Sequence, residues 1–125
     1  MTSKIKLSAP DLTQAFPRSP RAKLGGYVLA CRTLDKCRAT VAGTAGEYPF
    51  DCPLDRIFFD FTGIDSEAFQ TQVAEGASDK DMAGWIEANA KKRDRIEIIR
   101  WNNELLTKRI IDLPDELQLF LEDYI

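Results

Sequence analysis

Arg18, Ser19, Arg21, Arg32, Lys36 and Arg38 are the residues of this chain whose types and spacing most readily do chemistry. A guanidinium holds phosphate or carboxylate through two parallel hydrogen bonds, and a lysine adds a point charge. Pro17 and Pro20 bracket Arg18 and stiffen the segment that carries it, so binding there orders little extra chain. If that segment folds back beside the first helix, Arg18, Ser19, Arg21, Arg32 and Lys36 make an anion site. The competing expectation is internal pairing of the same cations with Asp51, Asp55, Asp60 and Asp65. The charge layout fits both: residues 1–42 hold eight Lys/Arg against Asp11 and Asp35, whereas residues 43–79 hold Arg56 against eight acids.

The other reactive groups are sparse. The chain contains no histidine, which removes Ser-His-Asp and Cys-His nucleophile systems and the commonest metal ligand. Catalysis would fall to Lys36, Asp35 or Tyr48. Arg32, Asp35 and Lys36 stand at i, i+3, i+4, the spacing of a solvated ion network on one helix face. Asp51 and Asp55 are four apart, too few carboxylates for a metal site, and no metal or cofactor is predicted. Cys52 precedes Pro53 at an expected helix N-terminus, where a thiolate gains stability, although acids surround it. Gly25-Gly26 lacks the spacing of a dinucleotide fingerprint, and no lysine follows Gly43-Thr44-Ala45-Gly46 as a phosphate loop requires.

The elements that must position these groups read as helices. Ser8–Pro20 is an irregular, proline-broken arm whose Leu12 and Phe16 are expected to dock on the core. A first helix is predicted over Lys23–Ala42, starting near Tyr27 if the glycine pair weakens its first turn, with Gly43 as its stop. The charged residues of that helix form its outer face. A small β-hairpin within residues 39–50 is the alternative for its end. Pro53 opens a second helix with the face Leu54, Ile57, Phe58 and Phe61, ended by Gly63. Ser66–Glu75 and Asp79–Ala90 follow, the latter capped by Ser78 with Asp81 three residues on. Arg93–Ile110 has the broadest apolar arc and is predicted to be the central helix; Pro114 opens a short last one. Trp85 and Trp101 are expected to be mostly buried. The fold class is therefore all-α, a bundle of five or six short helices forming a single domain over residues 1–125, with 1–20 as an arm.

Apolar residues make up 44% and charged residues 30%, so a core can form without staples. No run of apolar residues reaches membrane-spanning length, and Met1–Pro10 lacks the apolar segment of a secretory leader. The three cysteines match no metal spacing and are expected to be reduced, which predicts a cytoplasmic location. The formal net charge of −3 argues against non-specific nucleic-acid binding.

Several short motifs in linked order carry a family resemblance. They are Pro17-Arg18-Ser19-Pro20-Arg21, Leu24-Gly25-Gly26-Tyr27, Leu34-Asp35-Lys36, Arg38-Ala39, Gly46-Glu47-Tyr48, Cys52-Pro53-Leu54-Asp55 and Gly63-Ile64-Asp65. Over residues 11 to 90 the chain resembles DUF5069, a family of uncharacterised bacterial proteins. The resemblance implies a bacterial, cytosolic setting and brings no activity, cofactor or catalytic residue with it. The functional expectation is a binding or adaptor module that recognises a protein partner or a small anionic ligand through the basic arm and first helix. A histidine-independent enzyme and a structural subunit of a larger assembly are the alternatives.

Overall fold

Local signals fix most helix ends in the computed structural model, which describes residues 9–107. Five helices occur there: α1 (Ala30–Ala42), α2 (Pro53–Thr62), α3 (Ser66–Ala74), α4 (Asp79–Asn89) and α5 (Arg95–Thr107). The described part is mainly α. By contacts the chain divides into two compact units, Met1–Lys91 and Lys92–Ile125.

Within the first unit α1 is the buried element. Every residue from Ala30 to Ala39 is buried, Arg32, Asp35, Lys36 and Arg38 included. The expected solvated outer face of this helix is therefore absent. Polar groups are buried where partners meet them, and here the arm, α2 and α4 supply those partners. The start of α1 also lies later than Lys23 or Tyr27. Gly25 and Gly26 adopt positive φ, and Leu24 and Tyr27 exchange both backbone hydrogen bonds across a tight loop that spends these residues before the helix. A Cβ on Gly25 would meet the Ala83 carbonyl at 3.1 Å.

At its other end α1 closes as a Schellman motif. Gly43 is left-handed, its N–H donates to the Thr40 carbonyl, and the Thr44 N–H donates to the Ala39 carbonyl. Residues 39–42 are thus helical, and among the described residues there is no strand. An isolated bridge between Leu24 and Tyr27 is the β pairing seen. The arm then uses the same corner: Leu12 N–H donates to the Thr44 carbonyl and Thr44 Oγ1 to that of Pro10. Leu12 is buried as expected, whereas Phe16 is 72% exposed.

Pro53 at the start of α2 needs no hydrogen-bond partner for its missing N–H, and Gly63 in the left-handed region ends the helix. Asp65 caps α3 through the Ala68 N–H, and Ser78 with Asp81 forms the capping box of α4. These helices converge on aromatics. Phe58, Phe59 and Phe69 are fully buried and edge-packed, the Phe59–Phe69 and Phe58–Phe59 centroids each 5.3 Å apart. Met82 and Ile86 of α4 complete that core, and α1 packs on α3. Trp85 is half-buried at the margin, not in the centre, its ring edge-on to Phe69 at 6.0 Å.

The second unit contains α5, which was expected to be central. Its Ile96 and Ile99 are 53% and 39% exposed, and Asn102 is its buried residue. Trp101 is half-buried. The expected end of this helix at Ile110 and the short helix after Pro114 lie outside the described residues. No helix among the described residues is long and apolar enough to cross a membrane.

Candidate functional site

Two ionic clusters grow from α1. In the first, the arm brings Arg18 onto the helix. The Arg18 N–H donates to Asp35 Oδ2 at 2.8 Å, and its Nη2 lies 2.9 Å from Asp35 Oδ1. Its Nη1 reaches Asp79 Oδ2 at 2.9 Å, and Arg38 takes the other oxygen of Asp79 at 2.7 Å. Arg38 Nη2 also donates to the Ala77 carbonyl, and Arg32 Nη1 to the Arg18 carbonyl. Asp79 sits in the first turn of α4, where the helix end favours its negative charge. Hydrogen bonds from Arg18 above all, with those from Arg38, hold the Asp79 carboxyl below the usual carboxylate range despite some burial. Burial works against the Arg18 cation, yet its two carboxylate partners outweigh that and raise its pKa.

The second cluster lies under the N-terminus of α2. Lys36 is fully buried and its Nζ stands 3.0 Å from Asp55 Oδ2, itself 1% exposed. The same Nζ donates to Cys52 Sγ at 2.9 Å. Four donors from four residues converge on the Asp55 carboxylate: Lys36 Nζ, Thr33 Oγ1 at 2.8 Å, the Asp51 N–H at 2.9 Å and the Cys52 N–H at 3.3 Å. Asp51 holds a positive φ of 64° to aim its N–H there.

The five residues expected to form an anion site are dispersed by these partners. Arg18 faces two carboxylates, and Arg32 is buried beside it, its guanidinium 5.8 Å from the Tyr48 ring centroid. Ser19 and Arg21 are exposed, joined by a hydrogen bond from the Arg21 N–H to Ser19 Oγ. Lys36 is closed off from solution. Of the acids named as internal partners, Asp55 takes Lys36, whereas Asp51 and Asp60 pair with Arg56 of their own block and Asp65 caps α3. The i, i+4 reading of Arg32, Asp35 and Lys36 gives way to longer-range pairs. Asp79 and Thr33 are the participants that sequence reasoning missed. Asp79 reads locally as a helix-start acid, but Thr33 stands three before Lys36, a legible helical spacing.

All three cysteines are free thiols and buried. Burial pushes the Cys37 thiol up to about 12 and raises that of Cys31, whose Sγ donates to the Lys23 carbonyl. Burial likewise raises the Tyr48 hydroxyl pKa, which disfavours the phenolate a base would need. No group of three or more metal-ligating side chains occurs among the described residues. A shallow groove lies between α3 and α4, lined by Gln72, Glu75, Gly76, Ala77, Asp81 and Trp85; its carboxylates disfavour anions.

No curated protein matches the sequence. The model of the family described as a domain of unknown function, DUF5069, matches residues 14–123, and on that extent the chain belongs to this family.

Proposed function

We propose that this chain is a binding module whose contact surface is the arm, with Phe16 at its centre. One observation carries the reading: Phe16 is 72% exposed on a segment held at both ends. Leu12 is pinned to Thr44 before it, and Arg18 to Asp35 and Asp79 after it. The Pro20 carbonyl accepts the Leu29 N–H. A large apolar side chain kept in water by a fixed backbone is a ready interface anchor, because ordering the arm has already been achieved on folding. The Phe16 ring meets Tyr48 edge-on at 6.4 Å, and exposed Arg21 and Lys23 follow just after the arm. The fitting partner is a protein segment with an apolar side chain flanked by carboxylates. A small anion is the weaker reading, since Arg18 is already committed to two carboxylates. Catalysis is disfavoured by the closure of Lys36 from solvent.

A fluorescently labelled peptide panel tests this, pairing acidic sequences centred on Leu or Phe with neutral and scrambled counterparts. The expected result is anisotropy-detected binding by the acidic apolar set, weakened by salt, and lost at least roughly tenfold in Phe16→Ala. Binding unchanged in Phe16→Ala, or no discrimination between acidic and neutral peptides, overturns it.

A further inference from the structure

Lys36 and Cys52 lie on different elements, yet Lys36 Nζ stands 2.9 Å from Cys52 Sγ. Neither atom is free to wander. Lys36 is fully buried and tied to Asp55 at 3.0 Å, and Asp55 is fixed by Thr33 and the Asp51 and Cys52 N–H groups. Cys52 stands at the N-cap of α2, and its N–H donates to Asp55 Oδ2, which fixes the backbone that carries the thiol.

A nitrogen and a sulfur held in contact, with a carboxylate beside them, are the reactants of an oxidative cross-link. We propose that Lys36 and Cys52 form a modification site, closed by hydrogen peroxide into a reversible Nζ–O–Sγ bridge between α1 and the start of α2. Cys52 is the entry point: it is 7% exposed and lies between exposed Asp51 and Pro53, while Lys36 has no exposure. A first peroxide is attacked by Sγ; its O–O bond breaks, Cys52 becomes the sulfenic acid, and one water leaves. The Lys36 ammonium passes a proton to Asp55 Oδ2 and becomes the amine. As Nζ bonds to the sulfenic oxygen, one N–H and the S–O–H proton are lost with two electrons. A second peroxide accepts both protons and both electrons and leaves as two waters. Two equivalents of a dithiol return the amine, the thiol and one water. The separation already present is one that a single oxygen spans with little movement of either side chain. Cys31, by contrast, donates its Sγ proton to the Lys23 carbonyl. The bridge would cross-link two positions sixteen residues apart and so restrict the unfolded chain.

The test is mass spectrometry of the whole chain after peroxide treatment, followed by tryptic mapping. The expected product is one oxygen heavier and two hydrogens lighter than the reduced chain. It maps as a peptide joined through Lys36 and Cys52, resists trypsin at Lys36, melts at a higher temperature than the reduced chain, and reverts with dithiothreitol. Cys52→Ser should abolish it, and Lys36→Arg, which keeps a cation against Asp55, should abolish it as well. Cys52 found only as sulfinic or sulfonic acid with Lys36 still cleaved, a link lacking the oxygen, an unchanged mass, or the product persisting in Cys52→Ser would each overturn the proposal. Mapping on the wild type keeps the result readable even if a variant fails to fold.

Discussion

Asp35 and Lys36 are neighbours on α1, yet their ion pairs live in different solvents. Asp35 meets Arg18, whose side chain is 38% exposed, and the network runs on to Asp79 at 48%. Lys36 meets Asp55 with neither side chain above 1%. Water reaches the first network at Arg18 and Asp79, which weakens the contact between those two, while Asp35 and Arg38 are themselves buried. In the second, each charge is tolerable only because the other is there, since burying an unpaired ion costs several kcal/mol. One helix therefore carries a partly solvated clamp and a closed pair, one residue apart.

The sharpest way to break that contrast is Lys36→Met. It fills similar space but leaves Asp55 without its cation, and should cost about 3–5 kcal/mol by urea unfolding. Lys36→Met combined with Asp55→Asn should recover part of the loss, because no buried charge then stands alone. A single variant as stable as wild type would show that Asp55 finds compensation elsewhere.

Asp79→Asn, at the partly open network, should cost about 1–2 kcal/mol, because water screens Asp79 and Arg18 while Arg38 beside them is buried. Added salt should weaken the wild type through this network and leave the Lys36–Asp55 pair unaffected. The pH dependence has a definite sign. The Asp79 carboxyl is held below its ordinary value of 3.8, so its contribution is fully present above that value and lost as pH falls through the lower folded pKa. The wild type should lose stability more steeply than Asp79→Asn below about pH 4 and match its slope near neutrality.

The contrast also marks how far sequence could reach. The ends of α2 and the start of α4 were legible because each depends on neighbours: Pro53 and Gly63, and Ser78 with Asp81. Burial of Arg32, Asp35, Lys36 and Arg38 was not, because their partners are remote; the Arg38–Asp79 bond spans 41 residues. A helix with charges on one side is read as half-solvated unless the distant partners are known. The same limit applies to α5. Ile96, Ile99 and Trp101 record an apolar arc, but periodicity does not say which unit an arc serves, and α5 falls in the second. The anion-site residues were legible as an unusual cluster of cations, while the carboxylates already answering Arg18 were not.

Thiol chemistry sharpens the comparison further. Cys37 lies on the closed side of α1, and burial pushes its thiol up to about 12. Native protein should therefore show almost no alkylation of Cys37 by iodoacetamide at pH 8, where the thiolate is scarce and access is denied. Peptide mapping gives the extent directly. Rapid labelling of Cys37 in the folded protein would mean that α1 opens locally, and would undercut the rigidity on which the Lys36–Asp55 argument rests.

The smallest expected effect belongs to Phe16→Ala. Truncating a buried phenylalanine such as Phe59 removes contacts and leaves a cavity, a loss of about 3–5 kcal/mol. Phe16 is 72% exposed, its ring meets Tyr48 edge-on, and the arm around it is held by Leu12 and Arg18, which the substitution leaves in place. Removing the ring should shift stability by no more than about 0.5 kcal/mol in either direction. Chemical denaturation of the two proteins side by side gives the number. A loss of 2 kcal/mol would mean that Phe16 packs in solution, and the case for it as a partner anchor would fail with its exposure. A near-zero change leaves an apolar ring whose place in water contributes nothing to folding, which is the condition under which a loss of peptide binding in the same variant reports on recognition alone.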